Sequence, residues 1–218
     1  AACPGVNHWV SQGTDAPEGM ISSGGFLTLS GVLPRTAVDP EAPAAILYTS
    51  GTTGFPKGVV HSQANYMRTG KSFAETARLG PGDRLLTANP LFHVNAQFYS
   101  AMGTLSAGAT FILMERFSAS RMWSWTREYR ANKVVMLLPL TSILYACDPR
   151  PDDRDNPVEV VVAGGAPKGH YRDFERRFGV RLQTLYSLSE SPLAVMGSLA
   201  EECVDGAVGR PMITPSEE

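Results

Sequence analysis

The segment Tyr48-Thr49-Ser50-Gly51-Thr52-Thr53-Gly54-Phe55-Pro56-Lys57-Gly58 concentrates groups that bind anions. Its glycines allow close backbone approach, Thr49, Ser50, Thr52 and Thr53 bring hydroxyls, and Lys57 brings a cation. Amides and hydroxyls wrapped around an oligophosphate stabilise its charge without a strongly basic surface. The Walker A pattern does not fit, because Pro56 stands where a second glycine would precede Lys and Ser/Thr. A polar surface turn is the plainer alternative, since Gly, Ser and Thr are common turn formers. The length of the run, set between a strand-like stretch and the apolar pair Val59-Val60, favours phosphate.

Further loops carry reactive or small residues. Pro90-Leu91-Phe92-His93-Val94-Asn95 sets an imidazole beside an aromatic ring, which by itself describes a locally satisfied, packed histidine as well as a site. Gly164-Gly165-Ala166-Pro167 follows a β-rich run, and any strand-to-helix turn could read this way. Tyr186-Ser187-Leu188-Ser189-Glu190 offers a ring, hydroxyls and a carboxylate. A lone carboxylate such as Glu190 is ordinarily a solvated charge, but beside a triphosphate it is the hard oxygen ligand Mg²⁺ takes together with phosphate oxygens.

These loops need elements to hold them. Strands are predicted over 45–49 (short and buried), 84–88, 109–114, 134–138, 158–162 and 180–186. Helices are predicted from Ser62 to just before Gly80-Pro81, and from the 89–93 loop towards Ser106. Another, capped by Ser118 or Ser120, would place Met122, Trp125 and Tyr129 on one face. Two more run from Pro139 to Cys147 and from Lys168 to Phe178, with Gly179 as the C-cap of the latter. Residues 1–43 read as irregular. The alternation predicts an α/β fold of parallel sheets flanked by helices. Ligands of such sheets bind outside the carboxyl ends of the strands, so loops 49–58, 89–95, 164–167 and 187–191 all fall on the productive edge.

Composition narrows the function. The chain has 218 residues, 43% hydrophobic and 18% charged, which suits a substantial core and excludes disorder. Lys+Arg 19 against Asp+Glu 21 leaves a net charge of -2, so there is no electrostatic footprint for nucleic acid. No apolar run is long enough to span a membrane, and the unpaired spacing of Cys3, Cys147 and Cys203 suits a reducing, cytoplasmic setting.

Taken in order, the four loops resemble the signature segments of the adenylate-forming (AMP-binding) superfamily. That superfamily includes acyl-CoA and aryl-CoA synthetases, luciferases and the adenylation domains of peptide synthetases. The resemblance implies that Thr49, Ser50, Gly51, Thr52, Thr53, Gly54 and Lys57 hold the phosphates of ATP. It assigns Phe92, His93, Val94 and Asn95 to the acyl pocket, with His93 near the substrate carboxylate. Gly164, Gly165, Ala166, Pro167 and Tyr186 would meet adenine, Ser189 the α-phosphate, and Glu190 Mg²⁺. Ser187 stands where the family usually has Gly and Ser189 where it has Thr; Ser189 keeps the hydroxyl, while Ser187 adds a side chain near the nucleotide. Gly206-Ala207-Val208-Gly209-Arg210-Pro211 resembles a structural segment of the same family.

The implied activity is ATP-dependent conversion of a carboxylic acid to an acyl-adenylate, then transfer to the thiol of CoA. The runs 115–121 and 152–158 look most like the carnitine or crotonobetaine CoA-ligase branch. Peptide-synthetase domains usually carry an Asp in the loop corresponding to 89–95, and none stands there. Transfer to a carrier protein, or nucleotide binding without catalysis, are the alternatives. By analogy residues 1–84 belong to a first sheet subdomain and 85–218 to a second, in a fragment expected to lack the mobile C-terminal domain and to turn over little by itself. The expected partners are the acid, ATP and CoA, with a homodimer as the compatible assembly.

Overall fold

A computed structural model describes residues 10–11, 15–26, 36–49, 54–164, 169–201 and 207–212. The chain divides into two compact units, Ala1–Ala37 and Val38–Glu218. In the first, strands β1 (Val10–Ser11) and β2 (Ile21–Ser22) pair in parallel ahead of a single helical turn, α1 (Ser23–Phe26).

The second unit is built on a seven-stranded sheet. Its strands are β5 (Arg84–Thr87), β6 (Thr110–Leu113), β7 (Lys133–Met136), β8 (Val160–Ala163), β9 (Arg181–Leu188), β10 (Ser191–Met196) and β11 (Arg210–Pro211), in the order β11-β10-β9-β8-β7-β5-β6. The five strands from β6 to β9 run parallel, and β10 and β11 add antiparallel edges. Alternation along the strands sends Leu86, Val134, Met136, Val161, Ala163 and Leu182 to one core and Leu85, Val135, Val160, Val162 and Leu185 to another. The first core is closed by α4 (Met122–Glu128), α5 (Leu138–Ala146) and α6 (Tyr171–Phe178), through Met122, Trp125, Leu144, Phe174 and Phe178. The second is closed by α2 (Gln63–Thr76) and a π-helix (Asn95–Ala101) that continues into α3 (Met102–Ala107), through Phe73, Phe98 and Tyr99. Cover on both faces is why β7 and β8 are buried at every residue.

α2 and α3 approach closely at two glycines, because a Cβ on Gly70 would lie 2.7 Å from the Met102 carbonyl carbon and one on Gly103 2.6 Å from Phe73 Cδ1. Ser62 caps α2 by accepting from the Asn65 amide at 3.2 Å, and Gly179 ends α6 in the left-handed region at φ 70°.

Several expectations need correction. The stretch 45–49 is strand β3 (Pro43–Thr49), but it is not buried; only Leu47 is. It pairs antiparallel with β4 (Lys57–Ser62) as a separate two-stranded sheet, so the 49–58 segment is a hairpin connection and not a crossover from the parallel sheet. Neither Ser118 nor Ser120 caps α4: their hydroxyls meet each other at 3.2 Å, and Arg121 occupies the cap position. Met122 and Trp125 are buried as expected, whereas Tyr129 ends the helix 37% exposed. The 187–191 loop is a tight hairpin, since β9 runs on to Leu188 and β10 starts at Ser191. Among the described residues no helix is long and apolar enough to cross a membrane. Cys147 is a free, exposed thiol; Cys3 and Cys203 lie outside the described residues.

Candidate functional site

The strand order reverses at β5: β6 lies on one side of it, and the chain then crosses back to place β7 on the other. Backbone loops leaving β5 and β7 therefore diverge, opening a crevice at the carboxyl edge where doubly wound sheets bind ligands. A cleft of about 630 Å³ lies there, within the size range of small-molecule sites. Its walls are His93, Val94 and Asn95 after β5, Leu137, Leu138 and Pro139 after β7, Gly164 after β8, the stretch from Leu185 to Glu190, and Thr49 and Lys57 from the hairpin.

The loop after β5 is held by a buried polar chain. The Thr87 hydroxyl donates to the Val135 carbonyl at 3.0 Å and accepts from the Asn89 amide at 3.2 Å. Asn89 Nδ2 donates to Asn95 Oδ1 at 2.7 Å, and the Asn95 amide donates to His93 Nδ1 at 3.1 Å. Since Nδ1 accepts, the neutral imidazole carries its proton on Nε2. Burial pushes the His93 pKa down, so the ring is neutral at pH 7 and offers a donor without a charge. Gln97 braces the same loop, donating to the Leu91 carbonyl at 2.5 Å and accepting from the Tyr66 hydroxyl.

Across the cleft, Tyr186 is 54% exposed at the end of β9, which leaves its ring free to stack. Glu190 is exposed on the β9–β10 turn and forms no ion pair among the described residues. Tyr99, fully buried in the π-helix, ties down β10 just after that turn: its hydroxyl donates to the Pro192 carbonyl at 2.5 Å, and the Ser187 side chain lies near it. Burial raises the Tyr99 pKa to about 12.

Of the residues singled out from sequence, Thr49, Lys57, His93, Val94, Asn95, Gly164, Tyr186, Ser189 and Glu190 line this one cleft. Phe92 does not; it is 80% exposed. Gly54 is exposed and lies outside the cleft wall, while Ser50, Gly51, Thr52, Thr53, Gly165, Ala166, Pro167 and Gly206 lie outside the described residues. Phe98 and Tyr99, two apolar side chains compatible with an acyl wall, are fully buried core. Leu137, Leu138 and Pro139 were missed, although the carboxyl-edge rule applied to β7 points to them.

Fold and cleft together define an α/β protein with its ligand crevice at a topological switch point. The chain matches the AMP-binding enzyme family over residues 5–216, and so belongs to it. Among its relatives, the crotonobetaine/carnitine–CoA ligase of Salmonella agona (strain SL483) is 35% identical over 162 residues, covering 74% of this chain and 31% of that protein. The ligase of the same name from Shigella sonnei (strain Ss046) is 37% identical over 155 residues, 71% of this chain and 30% of the other. The chain thus spans about a third of the length of the curated relatives it matches. Among solved structures, an anthranilate CoA ligase in complex with anthranoyl-AMP superposes with a TM-score of 0.83 over 96% of this chain and 42% of the other; at 20% identity this is a likeness of fold. The O-succinylbenzoate coenzyme A synthetase of Bacillus subtilis, in complex with AMP, gives 0.66 at 26% identity over 80% of this chain and 36% of that one.

Proposed function

We propose that this chain carries the nucleotide and acid sites of an acyl-CoA ligase that activates a carboxylic acid with ATP and hands the acyl group to CoA. The observation that carries the reading is the convergence of Thr49 and Lys57, His93, and Tyr186, Ser189 and Glu190 on one cleft from three separated stretches of chain. A carboxylate oxygen attacks the α-phosphorus of ATP, the bond to the bridging oxygen breaks, and pyrophosphate departs. The thiol then attacks the acyl carbon and AMP leaves. Catalysis of this kind rests on positioning and charge neutralisation.

In this reading the 49–58 hairpin connection, with Thr49, Ser50, Gly51, Thr52, Thr53, Gly54 and Lys57, holds the β- and γ-phosphates. Ser189 contacts the α-phosphate, and Tyr186 with the 164–167 turn receives adenine. His93, neutral and donating from Nε2, seats the carboxylate. Phe92, Val94 and Asn95 belong to the acyl side, with Asn95 acting through His93. Glu190 fits Mg²⁺: it is an exposed hard oxygen donor on the cleft wall, and Mg²⁺ commonly takes one or two carboxylates with phosphate oxygens, so no larger cluster of protein ligands is required. When bound, the ion would supply charge neutralisation at the phosphates. The branch we favour is crotonobetaine or carnitine activation, supported by the relatives' names. We keep the subdomain division at 84/85 as a proposal, supported by the separateness of the β3–β4 sheet.

Calorimetric titration with Mg·ATP, followed by hydroxylamine trapping of the adenylate with crotonobetaine, carnitine and an aromatic acid, tests the reading. Weak nucleotide binding and little turnover are expected of these residues alone. Absence of any Mg·ATP binding overturns the assignment, and binding without trapping by a protein of the relatives' full length leaves a nucleotide-binding module only.

A further inference from the structure

One buried histidine has no part in the chemistry above. His61, near the end of β4, is 2% exposed. Its ring lies edge-on to Phe98, with centroids 4.8 Å apart, and Phe98 in turn stacks on Tyr66 at 4.1 Å. Nδ1 receives Asn65 Nδ2 at 2.7 Å, and Asn65 is itself fixed in the first turn of α2 by its backbone bond to Ser62. That contact leaves the proton on Nε2. Burial lowers the His61 pKa, so the ring is neutral, and buried Nε2 closes no hydrogen bond of ordinary geometry among the described residues although the backbone of Ser189 lies near it. A buried donor facing an acceptor without closing the bond is a contact poised to tighten.

Its position gives the contact meaning. β4 begins at Lys57 on the cleft wall and ends at Ser62, while Ser189 belongs to the β9–β10 turn, which lines the same cleft. β10, which follows that turn, is held by Tyr99 through its hydrogen bond to the Pro192 carbonyl, and Tyr99 follows Phe98 in the same π-helix. Hairpin and β10 therefore rest side by side on Phe98 and Tyr99, and π-helical segments recur at functional sites.

We infer that His61 is a positioning residue of the nucleotide site, whose Nε2–H bonds the Ser189 backbone when nucleotide binds and so sets the spacing between the Lys57 hairpin and the Ser189–Glu190 turn. The inference rests on the nucleotide reading proposed above. His61 touches neither substrate nor reacting atoms; it acts through the backbone of Ser189.

The test is Mg·ATP titration of the unsubstituted chain, His61→Gln and His61→Leu, with the histidine side-chain ¹⁵N–¹H spectrum of the unsubstituted chain recorded along the titration. His61→Gln, which can place an amide donor near Nε2, is expected to bind within about threefold of the parent. His61→Leu is expected to bind about tenfold more weakly, the loss one hydrogen bond commonly carries. The His61 Nε2–H resonance is expected to move downfield on nucleotide addition. Equal binding by all three proteins, or a resonance that stays in place while nucleotide binds, overturns the positioning role alone. Failure of the unsubstituted chain to bind Mg·ATP overturns the nucleotide reading and this role with it. Should His61→Leu not fold, the glutamine variant and the resonance still decide the matter.

Discussion

The β7–β8 pair and the β3–β4 pair look alike as sequence and behave differently in the fold. Lys133–Met136 and Val160–Ala163 are buried at every residue, with helices on both faces. In the hairpin, Ile46 is 55% exposed, Tyr48 71% and Val60 59%, and these three stand on one face while Leu47 and His61 are buried on the other. A two-stranded sheet is marginal by itself and depends on whatever covers one of its faces. The candidate site lies where these two kinds of structure meet: one wall comes from a scaffold fixed by two cores, the other from a hairpin held by one face.

The contrast predicts a graded response to substitution. Phe174→Ala, in the core beneath β8, should cost about 3–5 kcal/mol in urea unfolding, because the cavity it leaves is enclosed by Trp123, Phe178 and the sheet. A cost below about 1 kcal/mol would mean that this side of the sheet is loosely packed. Tyr99, which ties the scaffold to β10, should show itself in alkali. Its folded pKa of about 12 lies above the ordinary value of 10, so the folded state retains a proton that the unfolded state releases. Stability should therefore be full below pH 10 and fall by about 3 kcal/mol as pH rises through 12. Tyr99→Phe should flatten that slope; an unchanged slope would assign it to other groups.

Smaller effects belong to the hairpin side. Ser62→Ala removes the cap that joins β4 to α2 and should cost about 1 kcal/mol, read by chemical denaturation. Tyr48→Ser, on the exposed hairpin face, should change stability by no more than about 0.5 kcal/mol. A larger loss there would show that this face is covered in solution, and the comparison between the two sheets would have to be redrawn.

Much of the scaffold was legible because its signals are local. Val160–Ala163 is an unbroken β-branched run ending in a small residue, Gly179 stands at a helix end, and Pro139 stands in the first turn of α5. The candidate site was legible in part for a different reason: residue types and spacing announce chemistry wherever they fold. What stayed hidden depends on partners distant in sequence. Ile46 and Val161 are both β-branched, and only the presence or absence of a covering helix separates them. Leu137 and Leu138 read as the end of a strand, and become cleft wall only through the reversal of strand order at β5. The antiparallel return of β10 was missed because Ser189 and Glu190 make a turn that carries none of the usual glycine or asparagine signal.

Residue identity alone therefore determined the kinds of group this protein brings to a ligand, and periodicity alone determined most of its strands and helices, since both depend on neighbours within a few positions. Tertiary structure decided that the Tyr99 hydroxyl reaches the Pro192 carbonyl, that His93 is kept neutral, and that His61 is buried with its Nε2 unpaired among the described residues. Each of those outcomes is a matter of desolvation and hydrogen bonding, which are fixed only when remote parts of the chain pack together.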